Sequence, residues 1–328
     1  MTKPRLGFLG VGWIGRHRMQ AMIATGAVEV AAFADPSSEM AAEAARLAPA
    51  ARRVGGLAEL LEQDLDGLVI ATPSAMHAEQ SKVALERGAA VFCQKPLGRT
   101  AAEVRAVVDA ARQTDRLLGV DLSYRFTQGM RRIRELIGSG ALGHVFAADL
   151  VFHNAYGPDK SWFYDPALSG GGCVMDLGVH LVDLALWALD FPPVESVTST
   201  LLAEGMPLTR QVGKVEDYAV ATIGLAGGAM VQLACSWRLQ AGVDAKISAA
   251  FYGTGGGAAL RNLDGSFYDF AAERYRGTST ELLAGPPDDW GGGAAADWAT
   301  RLADGQRFDP TAERLTEVAE VLDRIYGR

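Results

Sequence analysis

The segment RLGFLGVGWIG, residues 5–15, sets a short apolar strand directly against three glycines at G-x-G-x-x-G spacing, with a helical pattern following over residues 13–24. That spacing is weak evidence by itself. After a strand and at the start of a helix it acquires a mechanism. Gly10 permits the tight turn, Gly12 lets a pyrophosphate approach the backbone, and Gly15 lets the helix pack closely on the strand. Trp13 and Ile14 fall in the first helical turn, whose free N–H groups attract phosphate charge. The reading is a dinucleotide site.

The chain outward from this turn keeps the same rhythm. Apolar runs at 28–34, 67–71, 89–93 and 117–123 alternate with helical patterns at 37–48, from 74 to about 87, and at 100–113. Strands alternating with helices of this length imply βαβ units and a parallel sheet covered on both faces. After residue 122 the texture changes. A helix near 128–138 precedes longer strands at 144–153, 194–202, 215–225, 229–237, 246–252 and 257–261, with a helix over 173–189 among them. The expected organisation is a doubly wound Rossmann domain over 1–122. An α+β domain with an open, mostly antiparallel sheet is expected over 123–328. The stretch 284–298 reads as loop, and a last helix runs from about Pro310 to Tyr326.

Composition narrows the function classes. The 328 residues are 49% hydrophobic and 21% charged, and 31 basic against 39 acidic residues give a net charge of −8. A surface of that sign repels nucleic acid. Cys93, Cys173 and Cys235 are far apart, without the spacing of a zinc site or a disulfide framework, and suit a reducing cytoplasm. No apolar run approaches the ~18 residues that span a bilayer, so no membrane partner is expected.

Four strand ends carry candidate chemistry. Asp35, 20 residues after Gly15, closes the second strand. A carboxylate there accepts hydrogen bonds from the adenosine ribose and repels a 2′-phosphate, which favours NAD over NADP; the alternative is a carboxylate that merely starts the turn at Pro36. Thr72, Pro73, Ser74 and His77 follow the third strand, and Gln94, Lys95 and Pro96 follow the fourth. In a doubly wound sheet, ligands bind outside these carboxyl ends, so all of them are candidate cofactor contacts. Alternatively, His77 lies on an exposed first turn and Lys95 is a solvated strand end. Farther on, GGGCVMDLGVHLVDLALWALD (170–190) places Asp176, His180, Asp183 and Trp187 on one helical face, while Leu177, Leu181, Leu184 and Ala188 form a packing stripe. A carboxylate and an imidazole one turn apart can share a substrate hydroxyl, one holding it and the other taking its proton. The competing reading is a solvated polar face. No third ligand for a metal is evident.

With these residues in view, the chain resembles the glucose–fructose oxidoreductase/inositol dehydrogenase/MocA-like family over nearly its whole length. The resemblance rests on the glycine turn, ATPSAMH (71–77), the strand-end Lys-Pro, SGALGHV (139–145) and GGGCVMDLGVH (170–180). It implies NAD(P)-dependent hydride transfer between nicotinamide and a secondary alcohol or ketone of a sugar, inositol or other polyol. It further implies Lys95, Asp176 and His180 as the catalytic set. Arg125, His153, Asn154, Tyr156, Lys160 and Trp162 lie on segments expected to close over substrate, although core packing explains Trp162 equally well. The family's Glu-Lys-Pro stands here as Gln94-Lys95-Pro96, and a glutamine that only contacts cofactor is expected to tolerate replacement by glutamate. Two rival functions are a non-catalytic NAD-binding sensor or repressor and an NAD-dependent glycosidase. The 229–237 strand has one face poor in charge, which points to a homodimer or homotetramer.

Overall fold

The computed structural model describes residues 2–208, 213–288 and 290–328. Two compact units emerge: Met1–Ser123 with Gly291–Thr316, and Tyr124–Trp290 with Glu317–Arg328.

The first unit begins with β1 (Arg5–Leu9), α1 (Trp13–Ala24), β2 (Glu29–Ala34), α2 (Ser38–Leu47), β3 (Arg52–Arg53) and α3 (Leu57–Leu60). It continues through β4 (Gly67–Ile70), α4 (Ser74–Glu86), β5 (Ala90–Cys93), α5 (Ala101–Thr114) and β6 (Leu118–Val120). The six strands pair in parallel in the order β3-β2-β1-β4-β5-β6. Every residue of β4 and β5 is buried, as continuous apolar runs demand when helices cover both faces. Ser37 caps α2 and Thr100 caps α5 through their hydroxyls. Strand order reverses between β1 and β4, so their carboxyl ends flank the crevice where such sheets bind ligands. The two-residue β3 and four-residue α3 are too short to leave a period in the sequence.

The second unit contains α6 (Gln128–Gly138), β7 (Val145–Asn154), α7 (Pro166–Ser169), a π-helical turn (Val174–Gly178) and α8 (Val179–Ala188). The strands β8 (Val194–Ala203), β9 (Met206–Pro207), β10 (Tyr218–Leu225), β11 (Met230–Ser236) and β12 (Ala245–Gly253) follow. The last three are β13 (Gly256–Asn262), β14 (Phe270–Arg276) and β15 (Ser279–Ala284). They form one nine-stranded sheet, β15-β14-β13-β12-β7-β11-β10-β8-β9. Only the β7–β11 pair is parallel within it. One face packs on α8: Leu177, Leu181, Leu184 and Ala188 meet Leu150, Phe152, Val231, Leu233 and Cys235 in a single core. The helical run Pro166–Ala188 is long and apolar enough to cross a membrane by composition, contrary to the sequence reading, with a mean hydropathy of 1.3. It is the unit's core helix, and 89% of that window is buried. The β14–β15 hairpin was not expected, because its charged and exposed residues hide the alternation.

The chain then forms α9 (Gly293–Ala303) and α10 (Arg314–Ile325). The sequence reading placed everything after 122 in one domain, with loop over 284–298. The structure differs, since α9 packs on the parallel sheet of the first unit. Its Trp298 lies 5.7 Å from Phe92, over Gly67 and Gly119. A Cβ on either glycine would come within 2.7 Å or 2.6 Å of the indole, so both positions must lack a side chain.

Candidate active site

Gly10 turns the chain with φ +86°, and a Cβ there would meet Ala71 O at 2.5 Å. Around Gly12 there is no heavy atom within 4 Å of a Cβ position, and α1 begins on Gly12 without a side-chain cap. Open space against uncapped helical N–H groups is what a pyrophosphate needs. Asp35 is fixed beside it: Oδ2 accepts from Val11 N and Oδ1 from Ser37 N, both at 2.8 Å. Two guanidiniums also stand near this strand end. Arg16 donates to Val11 O at 3.0 Å, and Arg53 donates to Asp35 O at 3.4 Å. Neither is evident from the sequence around Asp35, because Arg16 precedes it on α1 and Arg53 arrives through β3.

The loop after β4 is tied to the loop after β5. Thr72 donates to Gln80 at 2.6 Å, Pro73 precedes α4, and Ser74 is buried. His77 is buried as well, with Nδ1 2.7 Å from Pro96 O and Nε2 2.6 Å from Thr72 O. Burial depresses its pKa, the two carbonyls oppose that, and Lys95 adds to it. His77 is thus a buried clip between two loops rather than the exposed first-turn residue of the alternative reading, because both ring nitrogens face backbone oxygens. Lys95 is half-buried beside it, and Gln94 is buried with its amide nitrogen on Asp121 Oδ2 at 2.7 Å.

In the second unit, the π turn widens the spacing of the helix that carries the candidate pair. Asp176 lies in that turn, and its Oδ2 accepts from Trp237 Nε1 at 3.0 Å. His180 is 7% exposed, with its ring edge-on to Tyr124 at 5.1 Å. Asp183 and Trp187 do not continue a solvated polar face. Asp183 accepts both prongs of the Arg125 guanidinium, through Oδ2 from Nε at 2.7 Å and through Oδ1 from Nη2. That guanidinium also lies over Trp187 at 5.9 Å and Phe191 at 5.6 Å. The structure therefore gives Arg125, expected near substrate, an internal ion pair to hold. His153 falls on the open face of the sheet, away from α8, stacked on Tyr218 at 5.9 Å and 2.8 Å from Ser236 Oγ. Strand alternation explains this, since the preceding Phe152 takes the core side. Asn154 Oδ1 accepts from Tyr156 N at 2.8 Å, and the exposed Tyr156 hydroxyl donates to Asp244 at 2.6 Å. Trp162 stacks on Phe163 at 3.8 Å, and Lys160 pairs with Asp159 at 2.9 Å.

One residue that sequence reasoning missed organises the Asp176 turn. Glu216 is buried, and its Oε1 accepts from Gly172 N and Val174 N at 2.9 Å and from the Tyr326 hydroxyl at 2.8 Å. Burial raises its pKa, against the pull of these donors. A carboxyl whose folded pKa is raised contributes stability that is complete below the unfolded value and lost as pH rises through the folded value. Glu216→Gln keeps the triple acceptor without a buried charge. Its melting temperature is expected to exceed wild type at pH 8, with the difference shrinking as pH falls toward 5. A constant difference by thermal scanning would contradict this.

A parallel sheet with this glycine turn, followed by an α+β unit, defines a dinucleotide-binding protein with a second domain appended. A family model described as the oxidoreductase family with NAD-binding Rossmann fold matches residues 5–122, and one for the GFO/IDH/MocA C-terminal domain matches residues 130–259. The chain is 31% identical over 252 residues to the 1,5-anhydro-D-fructose reductase of Ensifer adhaerens, covering 75% of this chain and 69% of that protein. It is 29% identical over 239 residues to the D-glucoside 3-dehydrogenase of Escherichia coli (strain K12), covering 69% of this chain and 65% of that protein, slightly under two thirds of its length. Among solved structures, GenD2 from gentamicin A biosynthesis in complex with NAD superposes with a TM-score of 0.83 at 25% identity, over 100% of this chain and 94% of that one. The chain belongs to the GFO/IDH/MocA family of NAD-binding oxidoreductases.

Proposed function

We propose that this protein is an NAD-dependent dehydrogenase acting on a secondary hydroxyl, or the matching ketone, of a sugar or polyol. The observation that carries this reading is the Asp176–His180 segment, where Trp237 fixes the carboxylate and Tyr124 packs the imidazole on the following turn. Gly10, Gly12, Trp13, Ile14 and Gly15 hold the pyrophosphate, and Asp35 holds the adenosine ribose. Thr72, Pro73, Ser74 and Lys95 line the nicotinamide half, with His77 and Gln94 acting from behind them. When bound, NAD supplies the hydride acceptor. His180 takes the hydroxyl proton in oxidation and returns it in reduction. Lys95 donates to the reacting oxygen and stabilises its developing charge. Asp176 orients the substrate hydroxyl, and Asn154, Tyr156 and Trp162 contribute to the substrate surface. Relatives named as dehydrogenases and reductases support catalysis over a sensor or a glycosidase.

The test is a panel of sugars, inositols and sugar acids followed at the NADH absorbance. Net NADH with at least one of them supports the reading. Sugar release from a glycoside without net NADH would replace it. NADP binds more weakly than NAD, because the 2′-phosphate meets Asp35. Asp35→Ser narrows that gap, since Arg16 and Arg53 then face the phosphate without a carboxylate between. Equal dissociation constants in wild type would refute the preference.

A homo-oligomer in the cytoplasm completes the proposal. Val231, Leu233, Cys235 and Trp237 are buried in the core of the second unit, whereas the alternate residues Met230 and Gln232 are exposed on the open face. The outward residues of this strand are uncharged, which fits a second copy packing there. Light scattering at micromolar concentration should give at least a dimer; a monomer alone would contradict it. The free, buried cysteines fit a reducing compartment.

A further inference from the structure

Beneath the carboxyl ends of β5 and β6, three polar side chains are buried together. Arg18 and Asp121 are each 2% exposed and Gln94 is 7% exposed. Arg18 Nε donates to Asp121 Oδ2 at 2.6 Å, and Gln94 Nε2 donates to the same oxygen at 2.7 Å. Arg18 Nη1 lies 2.8 Å from His17 Nδ1. A guanidinium has only donors, so this contact makes Nδ1 an unprotonated acceptor. The His17 ring lies 5.6 Å from the Trp13 ring. Contacts therefore run unbroken from the glycine turn to the residue preceding Lys95.

Of these side chains, the carboxylate stands at position 121, while position 94 holds an amide. A glutamate at 94 would place a second carboxylate where Gln94 Nε2 now sits, at hydrogen-bond distance from the Asp121 oxygen that Arg18 also holds. Two carboxylates that close in a dry site do not both ionise. Asp121 Oδ1 is buried with no hydrogen-bond partner, so no spare donor waits there for added negative charge.

We propose that positions 94 and 121 form one charge site, filled by a single carboxylate, and that this site, paired with Arg18, positions Lys95 for the reaction. Gln94, Asp121 and Arg18 are positioning residues. The inference rests on the role given to Lys95 above, and it reverses the expectation that Gln94→Glu is tolerated.

The test uses the full chain and three variants. Gln94→Glu gives the site two carboxylates, Asp121→Asn gives it none, and Gln94→Glu/Asp121→Asn restores one at the other position. Each single variant is expected to lose thermal stability and to lower kcat about tenfold or more per folded molecule. NAD dissociation constants should stay within about threefold, because the glycine turn and Asp35 are untouched. The double variant should recover both melting temperature and kcat beyond either single, the non-additivity expected of groups in one network. A purely structural role would lower stability while leaving kcat per folded molecule near wild type. Wild-type stability and kcat in Gln94→Glu, or a double variant no better than the worse single, would overturn the proposal. Where a single variant does not fold, recovery of folded protein in the double supports the charge site and its failure overturns it. If no sugar or polyol is turned over by wild type, the dehydrogenase reading fails separately, and the melting series still decides the charge site.

Discussion

Lys95→Met is expected to lower turnover by a factor of roughly 100 or more under the proposed role, the scale for losing one well-placed donor to a developing oxyanion. NAD affinity is expected to change little, because the proposed contacts to pyrophosphate and ribose are the glycine turn and an Asp35 carboxylate already fixed by Val11 and Ser37. Stopped-flow turnover and NAD titration on the same preparation separate the two effects. His180→Ala is expected to give a comparable loss and, with His180 as the proposed base, to remove the acidic limb of the oxidation pH profile, where an imidazole must shed its proton to act as a base. Near-normal turnover in Lys95→Met would return this lysine to the role of a solvated strand end. It would also make a non-catalytic NAD-binding protein the better reading.

The second large effect is on stability. Arg125→Ala leaves the Asp183 carboxylate buried without its only charged partner among the described residues, which costs about 3–5 kcal/mol. Burial already raises the Asp183 pKa against the pull of Arg125, so removing the guanidinium should raise it further. Urea unfolding at pH 7 measures the loss. Arg125→Ala/Asp183→Leu, which removes both charges, should regain much of it. A small cost for the single variant would mean that the ion pair is dispensable.

Much of the first unit was legible because its strands are buried on both faces and its turns are punctuated by glycine and proline. The Asp35 carboxylate was legible for the same reason: it closes a strand at a set distance from the glycine turn. What escaped was decided by long-range partners. His77 reads as either a cofactor contact or an exposed first-turn residue, and burial is decided only when Pro96 and Thr72 present their carbonyls to both ring nitrogens. His153 reads as a substrate contact until the register of β7 turns it to the open face. Glu216 lies in a segment with no motif at all, and its importance comes from the Gly172 and Val174 amides, more than forty positions earlier. Arg18 and Asp121 did leave a trace, a charge on the inward side of a helix and another at the end of an apolar strand. A charge in such a place asks for a partner, and each is the other's.

The insertion of Trp298 between Gly67 and Gly119 has a consequence for the order of events during synthesis. When residue 123 has been made, every strand of the parallel sheet exists, yet the indole that fills the space over those two glycines has not been translated. At a rate of about 5–20 residues per second, the ribosome needs roughly 9–35 s to reach the residue that carries it. Throughout that interval the nucleotide-binding half exposes an apolar slot on its sheet. The whole second sheet is translated before the slot can close, so the half of the protein that begins first is among the last to be finished.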